Sequence, residues 1–199
     1  MSKTFILAGG NDRKSPDYGL RLSQEIAKHV TNPKILSCFY SWPEESWEQK
    51  AEDWQSWFSN NFNWPFTYDY ARADSLLEQM DAADVIYFHG GDTNLLFEHL
   101  PPVEKLKKHF QDKVIIGSSA GANMLSKYFW SSKRAAFGEG LGILDINIMV
   151  HYGAPDHEGF KRTPEDWQRE EAEFQEHIGG RTITHLPEGQ FVIIEQDIK

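Results

Sequence analysis

The sequence predicts an α/β fold, a three-layer sandwich in which a mostly parallel central sheet is covered by helices on both faces. Three observations carry that expectation. Short apolar runs alternate with stretches that repeat an apolar residue every three or four positions, as strands joined by crossover helices do. Two of the runs end in glycine pairs, Gly9-Gly10 and Gly90-Gly91, which suits loops at the C-terminal edge of a parallel sheet. Val114-Ile115-Ile116 then passes through Gly117-Ser118-Ser119-Ala120-Gly121 into a helix expected to begin near Ala122, a strand–turn–helix unit typical of such folds. With 199 residues, 40% hydrophobic and 14% aromatic, the chain can bury a full core as a single domain spanning 1–199.

The elements follow in order. Thr4 to Ala8 is the first strand. Leu22, Ile26 and Val30 form a helix stripe ended by Asn32-Pro33. Lys34 to Tyr40 is the second strand, and Pro43-Glu44-Glu45 opens a helix with acidic residues where its dipole favours them. Trp47, Ala51, Trp54 and Phe58 mark the buried side of that helix, an aromatic stripe that belongs to the core. Pro65 to Tyr70 is a third strand, Asp74 to Met80 a short helix, and Asp84 to Phe88 a fourth strand ending in His89-Gly90-Gly91-Asp92-Thr93. Asn94 to Leu100 and Val103 to Phe110 are helices separated by Pro101-Pro102. Beyond the Gly117–Gly121 turn, Tyr128-Phe129-Trp130 gives way to the polar stretch Ser131 to Arg134. Ile143 to Tyr152 is a strand whose alternation puts Asp145, Asn147, Met149 and His151 on one face and Ile146, Ile148 and Val150 on the other.

The chemistry concentrates at the sheet's C-terminal edge. In a G-x-S-x-G turn the serine stands at a sharp corner, so Ser119 is exposed as a candidate nucleophile, and the first turn of the following helix aims Ala120 N–H at whatever it attacks. The plain alternative is an ordinary small-residue connection between strand and helix. Gly91, without a side chain, can bring its N–H close to the same point as a second oxyanion donor, a role compatible with Asp92 or Thr93 capping the next helix. His151 ends its strand at that edge and is the candidate general base. Asp156 and His157 lie nearby, but Gly153-Ala154-Pro155 makes their spacing irregular for a metal site, and no metal or cofactor is expected.

Charge and composition narrow the partners. A net charge of −10 sets nucleic acid and anionic membranes aside as main partners, because both would be repelled. The single cysteine, Cys38, excludes an internal disulfide and sits in an apolar run as a core residue. Met1-Ser2-Lys3 leads straight into a strand-like run with no signal region, and no apolar segment nears the roughly 20 residues that span a bilayer, so the expected location is cytoplasmic. The sequence sets no oligomeric state, and a homodimer is compatible with it.

Gly117-Ser118-Ser119-Ala120-Gly121-Ala122-Asn123, preceded by Gly90-Gly91-Asp92-Thr93 and followed by Gly140-Leu141-Gly142-Ile143-Leu144 and His151-Tyr152, resembles the peptidase E (aspartyl dipeptidase) and cyanophycinase family of serine peptidases. The resemblance covers nearly the whole chain and is densest between Asp84 and Tyr152; Leu186-Pro187-Glu188-Gly189 also resembles the family's late strand–turn segment. It implies a class I glutamine amidotransferase-like, flavodoxin-like sandwich, with Ser119 as nucleophile, His151 as base and the N–H groups of Gly91 and Ala120 as oxyanion hole. One departure stands out. Where the family carries an acidic third member between nucleophile helix and histidine strand, this chain has Lys133 and Arg134, and the acidic residues between Ser119 and His151 are Glu139 and Asp145. Asp145 lies six residues back, about 20 Å along an extended strand, too far to orient the imidazole. Glu139 is the candidate from that segment; otherwise the acid comes from beyond His151 or the site is a dyad. The chain stops soon after Glu195, so the extra C-terminal strands of longer members are expected to be missing.

The functional expectation is a serine hydrolase cutting a small peptide or peptide-like amide, with aspartyl dipeptides the family's best-known substrates. Two other readings are an α/β-hydrolase-type esterase, which shares G-x-S-x-G, and a non-catalytic binding or regulatory protein that kept the scaffold and lost the acid.

Overall fold

The computed structural model describes residues 3–157 and 159–196. The chain opens with β1 (Lys3–Ala8), α1 (Tyr18–Ile26), β2 (Lys34–Cys38), α2 (Trp47–Asn61), β3 (Thr67–Tyr70), α3 (Leu76–Ala82) and β4 (Val85–Phe88). It continues through α4 (Thr93–His99), α5 (Val103–Leu106), β5 (Val114–Ser118) and α6 (Ala120–Leu125). Then come β6 (Tyr128–Ser131), β7 (Ala136–Glu139), β8 (Asn147–Val150), β9 (Asp156–His157), β10 (Phe160–Lys161), α7 (Pro164–His177), β11 (Ile183–Leu186) and β12 (Phe191–Gln196).

The central sheet has six strands in the order β12-β1-β5-β4-β2-β3, parallel except for β12, which runs antiparallel to β1. Alternation along the strands builds both faces. Ile6, Ile35, Val85, Tyr87 and Ile116 pack against α1 and the Phe58–Phe62 end of α2. Phe5, Leu7, Leu36, Ile86, Phe88 and Ile115 pack on the opposite side against α3, α5 and α6. Strands buried on both faces read as continuous apolar runs, which is why this half of the fold is legible in sequence.

The C-terminal half departs from the expectation in instructive ways. Tyr128-Phe129-Trp130 is a strand, and the polar stretch after it is the turn of the β6–β7 hairpin, in which Trp130 pairs with Phe137. This hairpin joins a second, four-stranded sheet of order β11-β8-β6-β7. Phe129, Ile148 and Val150 face the main core, while Trp130 and Met149 face Trp167, Phe174 and Ile178 of the α7 region. The expected strand from Ile143 to Tyr152 contracts to Asn147–Val150; Asp145 precedes it, its side chain 82% exposed and bonded to Lys127 at 2.8 Å. His151 follows it with φ 55°, so a left-handed residue, not strand alternation, sets the imidazole's direction. Helix α6 begins at Ala120, two residues earlier than expected. Among the described residues no helix is long and apolar enough to cross a membrane.

Candidate active site

Ser119 sits between β5 and α6 with φ 49° and ψ −107°. Its N–H donates to Ala8 O at 3.0 Å and its carbonyl accepts from Asn123 N–H at 2.9 Å, so the corner is fixed by the neighbouring strand and the helix it opens. The corner is tight as well as strained: a methyl on Gly121 would lie 2.1 Å from Phe88 O, so only glycine lets α6 pack this closely on β4.

Ser119 Oγ lies 2.8 Å from His151 Nε2. On the far side of the ring, His151 Nδ1–H donates to Glu188 Oε1 at 2.9 Å. The imidazole is 2% exposed and held through its backbone, whose N–H donates to Gly9 O at 3.0 Å. The residue missing from the sequence reading is therefore Glu188, in the turn between β11 and β12. Glu139 is not the partner of His151; it lies exposed at the end of β7, opposite Tyr128. Glu188 belongs to the Leu186–Gly189 segment already notable in the sequence, and an acid two residues past the end of β11, which pairs with the strand leading into His151, was the signal that could have found it.

Electrostatics favour a charged Glu188. Burial raises its pKa, but hydrogen bonds from His151 and Asn11 and the charges of His151 and His157 outweigh that and hold it below the ordinary carboxylate value. His157 Nδ1 lies 3.4 Å from the same Oε1 oxygen, and its ring stacks on His151 at 3.6 Å. The ligand-type atoms of His151, His157 and Glu188 fall within 4.8 Å of one another. Face-to-face imidazoles point their in-plane lone pairs side by side, so this triplet suits sharing a carboxylate better than converging on one ion. Beneath the site, burial raises the pKa of Asp12, against hydrogen bonds from Ser118 and Tyr87 and the charge of His151; Tyr87 donates to it at 2.6 Å.

The Gly90–Gly91 loop closes over Ser119. A methyl on Gly90 would lie 3.1 Å from Ser119 Cβ, and Gly91 adopts φ 149° with its Cβ position 2.5 Å from Ser41 O. Asp92 accepts from Asn94 N–H and Leu95 N–H, capping α4, so capping and the approach of Gly91 coexist. Ala120, first in α6, has no intrahelical acceptor for its N–H. Gly90, Gly91, Asp92 and Ser119 border a cavity of about 470 Å³ that also receives Arg13, Lys50 and Arg134.

The profile of peptidase family S51 matches residues 68–198, a stretch that contains the Ser119 turn, His151 and Glu188. The chain belongs to peptidase family S51. A peptidase from an acI-B1 Actinobacterium, known from its crystal structure, shares the fold with a TM-score of 0.66 and 20% identity, over 98% of this chain and 84% of that one. No curated protein matches the chain. Membership of family S51 supports peptidase activity in general and sets aside the α/β-hydrolase-type esterase.

Proposed function

We propose that this S51 peptidase is a serine peptidase acting on small acidic peptides, with aspartyl dipeptides as the first substrates to try. The observation that carries the reading is the hydrogen-bonded chain from Ser119 Oγ through His151 to Glu188. Ser119 Oγ attacks the scissile carbonyl as its proton passes to His151 Nε2, and the carbonyl oxygen becomes an oxyanion facing the N–H groups of Gly91 and Ala120. Collapse breaks the C–N bond while His151 returns the proton to the departing amine. A water then attacks the acyl-enzyme, giving its proton to His151, and regenerates Ser119 as the acid product leaves. Glu188 keeps Nδ1 protonated and stabilises the imidazolium at each stage.

The preference for acidic substrates rests on the cavity's charge. Arg13, Lys14, Lys50, Lys133 and Arg134 border it, against Asp12 and Asp92. In a chain of net charge −10 that concentration of cations draws an anionic substrate to the one place where it meets Ser119. The reading as a non-catalytic scaffold rested on a missing acid, and a carboxylate at His151 Nδ1 removes that reason.

A fluorophosphonate probe tests the proposal. The expected result is one adduct, located on Ser119 by mass spectrometry, absent in Ser119→Ala and in denatured protein. An adduct on Ser118, or equal labelling of the denatured chain, would refute it.

A further inference from the structure

The two edges of the central sheet are built differently. On one side β3 has four residues, and its Asp69 is paired with Arg72 at 3.0 Å and bonded by Gln79 at 3.0 Å, so charge and side-chain partners line that rim. On the other side β12 has six residues, Phe191 to Gln196, and among the described residues it pairs with β1 alone. It contains neither proline nor glycine, and no bulge interrupts its pairing from Lys3↔Gln196 to Ala8↔Phe191. Ile193 on this strand is 43% exposed. A long, regular and apolar edge of this kind is a template for one more strand.

The register shows what the edge offers. Gly9 N–H donates to Gln190 O, which makes those two residues a hydrogen-bonded pair. Alternation from there turns the backbone groups of Val192 and Ile194 towards β1 and leaves the N–H and C=O of Phe191, Ile193 and Glu195 pointing outward. The side chains of the same three residues share the face that carries α1. There Tyr18 packs edge-on against Phe191 with centroids 5.7 Å apart, and the Arg21 guanidinium carbon lies 5.3 Å from the centroid of the Phe191 ring.

We propose that β12 is the interface of a homodimer, pairing antiparallel with β12 of a second copy about a two-fold axis at Ile193. That register sets Ile193 opposite Ile193 and Phe191 opposite Glu195, so every outward N–H and C=O of the three residues finds a partner; neighbouring registers leave Phe191 or Glu195 outside the overlap. The two exposed Ile193 side chains then cover each other. Each exposed Glu195 comes beside the Phe191 ring on which the second copy's Arg21 rests, and symmetry makes this contact twice. Arg21, paired with Asp17 at 3.0 Å, keeps 30% of its side chain exposed to receive it. This charge match is what favours a second copy over a strand of another protein. Arg21 also donates to Gly189 O at 2.6 Å, so the contact braces the turn that carries Glu188.

Sedimentation velocity of the full chain at about 0.15 M salt, where repulsion between two chains of charge −10 is screened beyond about 8 Å, should show a dimer. Ile193→Lys sets like charges against each other on the axis and should weaken association by about 100-fold or more. Glu195→Lys, which turns the match with Arg21 into a repulsion at both ends, should weaken it by about tenfold. A third variant reads the register without relying on lost association. Oxidised Ile193→Cys should give a dimer linked across the axis, because Cα atoms of a hydrogen-bonded pair lie about 5.5 Å apart, within disulfide reach. Native Cys38 is buried, and Phe160→Cys, at a 46% exposed position on β10, should stay unlinked. A monomeric wild type, which would leave the edge to a foreign strand or to solvent, would overturn the proposal. So would a dimer indifferent to Ile193→Lys, or crosslinking as fast at Phe160→Cys as at Ile193→Cys.

Discussion

Ser119 is held at a positive φ that only glycine adopts freely, and a residue fixed there stores about 1–3 kcal/mol of strain that the surrounding strand and helix must overcome. The sequence motif announces that corner; the geometry of the base and its acid depends on side chains that meet through space. Replacing Glu188 with Gln keeps its shape and removes its charge. We expect kcat to fall steeply, by up to roughly 10⁴-fold, the scale seen when a triad acid becomes an amide. Stability should change in a defined window. The folded-state pKa of Glu188 lies below its ordinary value of 4.5, so the wild-type carboxylate stabilises the fold above that value and ceases to as pH falls through the lowered one. Glu188→Gln should then lose stability at neutral pH and approach wild type in acid. Glu139→Gln and Asp145→Asn should alter neither rate nor profile, and a pH–rate series across the three variants decides it.

At the scale of elements, the β6–β7 hairpin presents Lys133 and Arg134 to the cavity, and α7 fixes it there. Arg162 donates to Glu170 at 2.8 Å and also to Ser132 O, while Trp130 Nε1–H donates to the other Glu170 oxygen at 2.7 Å. Both charged side chains are only 6% exposed. Arg162→Met leaves Glu170 buried without its cation, which should cost about 3–5 kcal/mol in a urea titration. It should also raise KM for an acidic dipeptide more than it lowers kcat, because the freed turn carries cations and not the reacting groups. An unchanged KM would show that the turn is held elsewhere. Helix α7 was not among the expected elements, although its signals are local: Thr163 and Asp166 form a reciprocal capping box around Pro164, and Trp167, Phe174 and Ile178 mark its buried side. The hairpin was not readable, because a three-residue aromatic run followed by serines and basic residues has too little periodicity to separate a strand from a helix end.

On the scale of the whole molecule, the site lies where two sheets meet. Leu186 pairs with Val150 in the second sheet, and five residues later Phe191 pairs with Ala8 in the first, so the turn carrying Glu188 bridges them. Gly9 N–H donates to Gln190 O at 3.0 Å and Gly189 N–H to Gly10 O at 2.9 Å, which fixes that bridge against β1. A methyl on Gly9 would fall 2.1 Å from Pro187 O and 2.3 Å from Leu186 O, contacts with backbone that cannot swing aside. Gly9→Ala should therefore displace Glu188, lowering kcat by about 10²-fold, as a shift of about 1 Å in a reacting group does, and destabilising the fold by about 1–3 kcal/mol. Wild-type turnover in that variant would mean that the junction does not set the acid's position. The sequence by itself determined the α/β class, the strands buried on both faces, the glycine-rich edge and the serine corner, since each follows from a run of neighbours and the backbone they permit. The tertiary structure alone decided which carboxylate meets His151. That acid lies 37 residues further along the chain, and no local pattern separates it from the other acids until the pairings of β11 with β8 and β12 with β1 bring its turn against the imidazole.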